Sequence, residues 1–146
     1  MQKHRLYIDH SITPNKIICL TDSKAHYCIQ VLRLKENNII TIFNGDGYEY
    51  SAVIVEITKR TITIIPSKHS FKEIPFLRKI NIGQSLVRKE KMDMIIQKIT
   101  ELGVNEITPI ISEYTTVKLL ENRLLKKLQH WKKISQSACE QCERNI

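Results

Sequence analysis

Glycine and proline are scarce in this chain of 146 residues, with four of each. So few glycines leave little material for a backbone cradle around phosphate, and neither a G-x-G-x-x-G nor a Walker-type loop occurs. No apolar run approaches the roughly 18–20 residues needed to span a bilayer. The opening Met1-Gln-Lys-His-Arg-Leu-Tyr7 leads into no apolar signal core. A soluble cytoplasmic protein with no membrane partner is therefore expected, and in that compartment Cys19, Cys28, Cys139 and Cys142 are read as thiols rather than disulfides. Cys139-Glu-Gln-Cys142 has C-x-x-C spacing, but it lies inside a helical run and lacks a second pair. Small residues packing on a helix face outweigh a zinc or redox site there, and no metal is expected. No local signature marks a Cys/His hydrolase, and there is no internal repeat or low-complexity segment.

Positive charge is what the chain has in excess. Lys and Arg number 23 against 15 Asp and Glu, a net charge of +8. That balance favours a polyanionic partner, nucleic acid first, with simple solubility charge as the alternative. The 42% hydrophobic content is enough for a core.

Residues 4 to 65 read as mostly β. Short branched runs recur at Arg5–Ile8, Ile17–Leu20, Ile39–Phe43, Tyr48–Ile57 and Thr61–Ile65. Asn44-Gly-Asp-Gly47 supplies a hairpin turn. One short helix interrupts, capped by Asp22 or Ser23 and buried through Ala25, Ile29 and Leu32. Five short strands with close turns predict a small barrel, since closure removes exposed edges. Pro66 and Pro75 bracket a linker-like stretch, so the domains are set at 1–70 and 78–146 with 71–77 between.

The second part alternates: a strand over Lys79–Val87, a helix over 88–102, a strand over Glu106–Ile111 and a long helix from Glu121 to Glu143. Strands followed by helical crossovers define the opening of a parallel α/β sheet. In the first helix Met92, Ile95, Ile96, Ile99 and Leu102 form one apolar stripe, and Gly103 sits where a left-handed C-cap is needed. Arg88, Lys89 and Lys91 make its entry basic. The last helix carries a stripe of Leu124, Leu128, Trp131, Ser135, Ala138 and Cys142 and a basic side that includes Arg123. That basic side serves solubility or phosphate contact. Lys98 and Glu101, three apart, make a solvated ion pair on spacing alone, of about 0.2–0.5 kcal/mol.

The residues Lys98-Ile-Thr-Glu101-Leu-Gly-Val104, Ile107-Thr-Pro109, Val117-Lys118, Trp131-Lys-Lys-Ile134 and Ala138-Cys-Glu-Gln-Cys-Glu-Arg144 resemble the RsmE-type 16S ribosomal RNA uridine-N3 methyltransferases. Arg5-Leu-Tyr7, His26, Val31-Leu-Arg33-Leu34 and Phe43-Asn-Gly-Asp-Gly-Tyr-Glu-Tyr50 carry the likeness through the first domain. Asn37 departs from the turn glycine frequent in that family, a harmless change because asparagine tolerates positive φ. The resemblance implies a PUA-like β-barrel followed by the opening units of a SPOUT-class domain, with the trefoil-knot segment and its glycine-rich donor pocket absent before Ile146. It implies S-adenosylmethionine as methyl donor, with no cofactor-binding residue in this chain, small-subunit ribosomal RNA as substrate, and a homodimer.

Under that resemblance Glu101 and Arg144 are the catalytic candidates, Glu101 steering the base edge and Arg144 offsetting charge. Arg5, His26, Arg33, Arg88, Lys98 and Arg123 are the candidates for RNA binding. The chain alone is expected to be inactive and to bind no donor, and an end at Ile146 predicts exposed apolar surface along the last helix. A non-catalytic basic RNA-binding module is the alternative, and a charged scaffold without an RNA partner is a third reading.

Overall fold

The computed structural model describes residues 4–72, 78–113 and 121–145. They form two compact units: residues up to 74 together with Asn145, and residues 75 to 144. Val117-Lys118 and positions 73–77 of the expected linker lie outside the described residues.

The first unit is a five-stranded sheet built from β1 (Arg5–Tyr7), β2 (Ile18–Leu20), β3 (Ile39–Phe43), β4 (Tyr48–Ile57) and β5 (Ile62–Lys72). Its order is β1-β3-β4-β5-β2, with β1 parallel to β3 and the other neighbours antiparallel. Alternation along β4 dictates its faces: Tyr50, Ala52 and Ile54 are buried, while Val53 and Val55 face solvent. Ile40, Ile42, Ile62 and Ile64 complete the core, and each fully buried isoleucine contributes about 1.5–3 kcal/mol. Asn37 does adopt φ 67°, and the turn glycines Gly45 and Gly47 have φ 92° and 86°.

One expectation for this unit is met and two are corrected. The sheet curls into a half-barrel with the three-residue strands β1 and β2 at its edges, as expected for a PUA-like first domain. Strand β5 runs through the stretch read as linker, out to Lys72. Pro66 sits inside it opposite Ala52, beside a register shift, where the missing N–H costs no regular ladder bond. The helix is α1 (Asp22–His26), with Thr21 rather than Asp22 or Ser23 at its N-cap. It then widens into a π-turn over Tyr27–Val31, closed by Leu32 N–H donating to the Tyr27 carbonyl at 3.0 Å. Ala25 and Cys28 bury this segment against the sheet.

The second unit pairs β6 (Asn81–Ser85) in parallel with β7 (Glu106–Ile110), joined by α2 (Lys89–Glu101) and followed by α3 (Glu121–Cys142). Gly83 in β6 lets the Ile110 side chain lie across the strand, since a Cβ there would meet Ile110 Cδ1 at 2.6 Å. Met92, Ile96, Leu86 and Trp131 form the core between sheet and helices. The buried stripe of α2 is Met92, Ile96 and Thr100, rotated from the expected one. Leu102, expected to be buried, is 77% exposed because the helix ends one residue earlier and the chain turns there. On α3 Trp131 and Ala138 are buried, whereas Leu125 and Leu128 are exposed.

Candidate functional site

The C-terminal turn of α2 gathers Lys98, Glu101 and Arg144. Gly103, at φ 91°, closes a Schellman motif: its N–H donates to the Thr100 carbonyl at 3.1 Å, and Val104 N–H donates to the Ile99 carbonyl at 3.2 Å. Arg144 is buried, and its Nη1 donates to the carbonyls of Thr100 at 2.9 Å and Val104 at 3.2 Å. A guanidinium at the negative end of a helix dipole is favourably placed, and here it also satisfies carbonyls that the helix cannot. Lys98 Nζ reaches Glu101 at 2.9 Å, with Lys98 well exposed and Glu101 half-buried. Glu101 thus offers a carboxylate near the surface of this turn, and Arg144 holds the backbone beneath it.

Arg5 lies inside the first unit rather than on its surface. Its Nη1 donates to Glu49 at 2.5 Å and its Nη2 to the Asn145 side-chain carbonyl at 2.7 Å. The guanidinium also stacks 4.8 Å from the Phe43 ring centroid. Asn145 is fully buried, and its backbone carbonyl accepts from Gly47 N–H at 3.1 Å. Burial of Arg5 and Glu49 as a pair avoids the several-kcal/mol cost of an uncompensated interior charge. The sequence reading missed Glu49 and Asn145, whose partners stand 44 and 140 residues away in the chain.

His26 and Arg33 are exposed around the π-turn, Arg33 in the left-handed region at φ 51°. Arg88 is exposed at the N-cap of α2, and Arg123 is exposed in the first turn of α3. The candidates therefore fall into separate groups: His26 and Arg33 in the first unit, Lys98, Glu101 and Arg144 at one turn of the second, and Arg88 and Arg123 at helix starts. His130 Nε2 and Asp93 Oδ2 pair at 2.9 Å between α2 and α3, a contact no sequence signal indicated.

Neither glycine described in the second unit offers a backbone cradle for a nucleoside donor. Ile110 covers Gly83, and Gly103 is the C-cap of α2. Among the described residues no three His, Cys, Asp or Glu side chains are grouped to hold a metal, and no helix is long and apolar enough to cross a membrane.

A half-barrel sheet followed by a parallel strand–helix–strand unit, in a chain of net charge +8, makes a two-part β and α/β architecture. Residues 72–146 match the family described as RNA methyltransferase domain, and residues 20–67 match the RNA methyltransferase PUA domain. The chain belongs to this family of RNA methyltransferases. Its relatives include the ribosomal RNA small subunit methyltransferase E of Buchnera aphidicola from Schizaphis graminum, 42% identical over 97% of the chain and 57% of the relative. The Bacillus subtilis protein of the same name is 30% identical over 86% of the chain and 49% of its own length. The chain thus spans a little over half the length of the first of these relatives. Among solved structures, the ribosomal RNA small subunit methyltransferase E of Neisseria gonorrhoeae, bound to S-adenosyl methionine, superimposes with a TM-score of 0.92 at 31% identity. That match covers 99% of this chain and 60% of the other. A Legionella pneumophila methyltransferase with bound cofactor superimposes at 0.93 with 32% identity, over the same shares.

Proposed function

We propose that this chain is the RNA-facing part of an enzyme that methylates N3 of a uridine in 16S ribosomal RNA with S-adenosylmethionine as donor. One observation carries the reading: almost the whole chain follows a small-subunit ribosomal RNA methyltransferase solved with that donor, at a TM-score of 0.92. The basic composition supports a ribosomal RNA partner. The protein acts in the cytoplasm as a homodimer, with the first unit at residues 1–70 holding RNA and residues 78–146 contributing to the methyltransferase domain.

Uridine N3 carries a proton at neutral pH, so transfer requires its removal or stabilisation of the resulting anion. Glu101 steers the base edge, and Lys98 offsets charge on the base or its phosphate. Arg144 acts as a positioning residue through its bonds to the Thr100 and Val104 carbonyls. His26, Arg33, Arg88 and Arg123 contact phosphate. Arg5 acts through the sheet, holding Glu49 and Asn145, because its guanidinium is enclosed.

Deleting the gene from its host should remove N3-methyluridine from 16S ribosomal RNA, read by mass spectrometry of nucleosides, and re-expression should restore it. Retention of the methyl group in the deletion strain rules the activity out. In the restored strain Glu101→Gln should lower the methylated fraction, and full methylation would exclude Glu101.

A further inference from the structure

The half-barrel leaves a seam at its two edge strands. A cleft of about 360 Å³ is lined by residues 8–10, which follow β1, and by residues 19–24, which end β2 and begin α1. Neither the catalytic nor the phosphate-contacting assignments use it. Ile8 and Leu20 are buried beneath it. Its rim is polar and of both signs. The Asp9 carboxylate meets His10 Nδ1 at 3.2 Å and Lys24 Nζ at 3.8 Å, and Thr21 Oγ1 donates to Asp22 at 2.9 Å. Lys24 Nζ also lies 5.6 Å from the Tyr7 ring centroid.

A cleft that sets a carboxylate beside a cation suits a nucleobase that carries a phosphate. Single-stranded RNA exposes its base edges to hydrogen bonding of this kind. An ionised carboxylate only accepts, and it presents two oxygens side by side. Among the four RNA bases guanine alone offers two adjacent N–H donors on its pairing edge, N1–H and N2–H. Adenine and cytosine set a donor beside a bare ring nitrogen, and uracil sets one N–H between two carbonyls. We propose that this cleft holds an unpaired guanine of RNA, its pairing edge on Asp9 and an adjoining phosphate on Lys24. The inference rests on the RNA-binding reading above and narrows it to one base. Asp9 remains ionised at neutral pH, since the His10 hydrogen bond and then the Lys24 charge hold its carboxyl below the usual range. Its side chain is 71% exposed and within reach of a ligand.

The test titrates the trinucleotides UGU, UAU, UCU and UUU into the nitrogen-15-labelled chain and follows the amides of Asp9, His10 and residues 19–24. UGU should move these amides and bind about tenfold tighter than the other three, equivalent to about 1.4 kcal/mol. Asp9→Asn, which exchanges one acceptor for a donor, should abolish the guanine preference while leaving the thermal midpoint unchanged. Equal binding of all four, shifts confined to other residues, or a guanine preference that survives Asp9→Asn each overturns the proposal. A longer unstructured RNA separates the two readings. If it binds with salt dependence while UGU shows no preference, the guanine site falls and RNA binding stands. If no RNA binds at low salt, both fall.

Discussion

Tyr50 shows how one residue can link a turn to a core. It is buried on β4, and its hydroxyl donates to Asp46 Oδ2 at 3.0 Å, while the other oxygen of Asp46 accepts from Tyr48 N–H at 2.8 Å. Burial first, and then the Asp46 hydrogen bond, push the phenol up to about 12. The neutral phenol is therefore favoured in the folded state. Its contribution is complete below the unfolded value of about 10 and is lost as pH rises through about 12. Wild type should lose stability more steeply than Tyr50→Phe over that window in urea titrations; parallel curves would count against the assignment. Glu49 presents the opposite problem, a charge whose removal strands another. Glu49→Ala leaves the Arg5 guanidinium enclosed without its carboxylate, and truncating one partner of a buried pair costs about 3–5 kcal/mol. A loss under about 1 kcal/mol in chemical denaturation would mean that Asn145 and Phe43 suffice to hold Arg5.

The informative element is α2. Its sequence carries an apolar stripe, a basic entry and a terminal glycine, features that predict a helix over 88–102, and the helix forms over Lys89–Glu101. Gly103 adopts a conformation that a Cβ disfavours, so Gly103→Ala should cost about 1 kcal/mol of folding free energy, read from the urea midpoint. An unchanged midpoint would show that the Schellman bonds do not depend on glycine. Because Arg144 donates to two carbonyls of the same turn, this substitution should also disturb the Glu101 surface, visible as amide shifts at residues 98–104. The sequence did not show that Thr100 would replace Leu102 in the buried stripe. The Thr100 hydroxyl satisfies itself on the Ile96 carbonyl at 2.7 Å, so it can be buried without cost to its polarity.

For the molecule as a whole, the excess of cations should appear as a counterion effect. Each phosphate neutralised on a single strand contributes about −0.7 to the slope of log affinity against log salt. Arg33→Ala and Arg88→Ala should each reduce the slope for ribosomal RNA by about 0.7 with little change in stability, since both side chains are exposed. Arg5→Ala should instead lower the unfolding midpoint, because its guanidinium is enclosed by Glu49 and Asn145. Unchanged slopes for both exposed arginines would remove them from the interface.

Local chemistry on its own placed most elements of this protein. A run of branched residues marked β3 and β4, the 3.6-residue period marked α2 and α3, and Asn37 was legible as a positive-φ residue because its side chain tolerates that region. Membership in the methyltransferase family was likewise written in contiguous motifs. The tertiary structure alone decided what depends on residues far apart in the chain. Pro66 continues a strand because a register shift opposite it removes the need for its N–H. The cleft exists because the fold brings residues 8–10 beside residues 19–24. Arg5 is interior because Glu49 and Asn145 arrive from 44 and 140 residues away, and no local pattern encodes a partner at that distance.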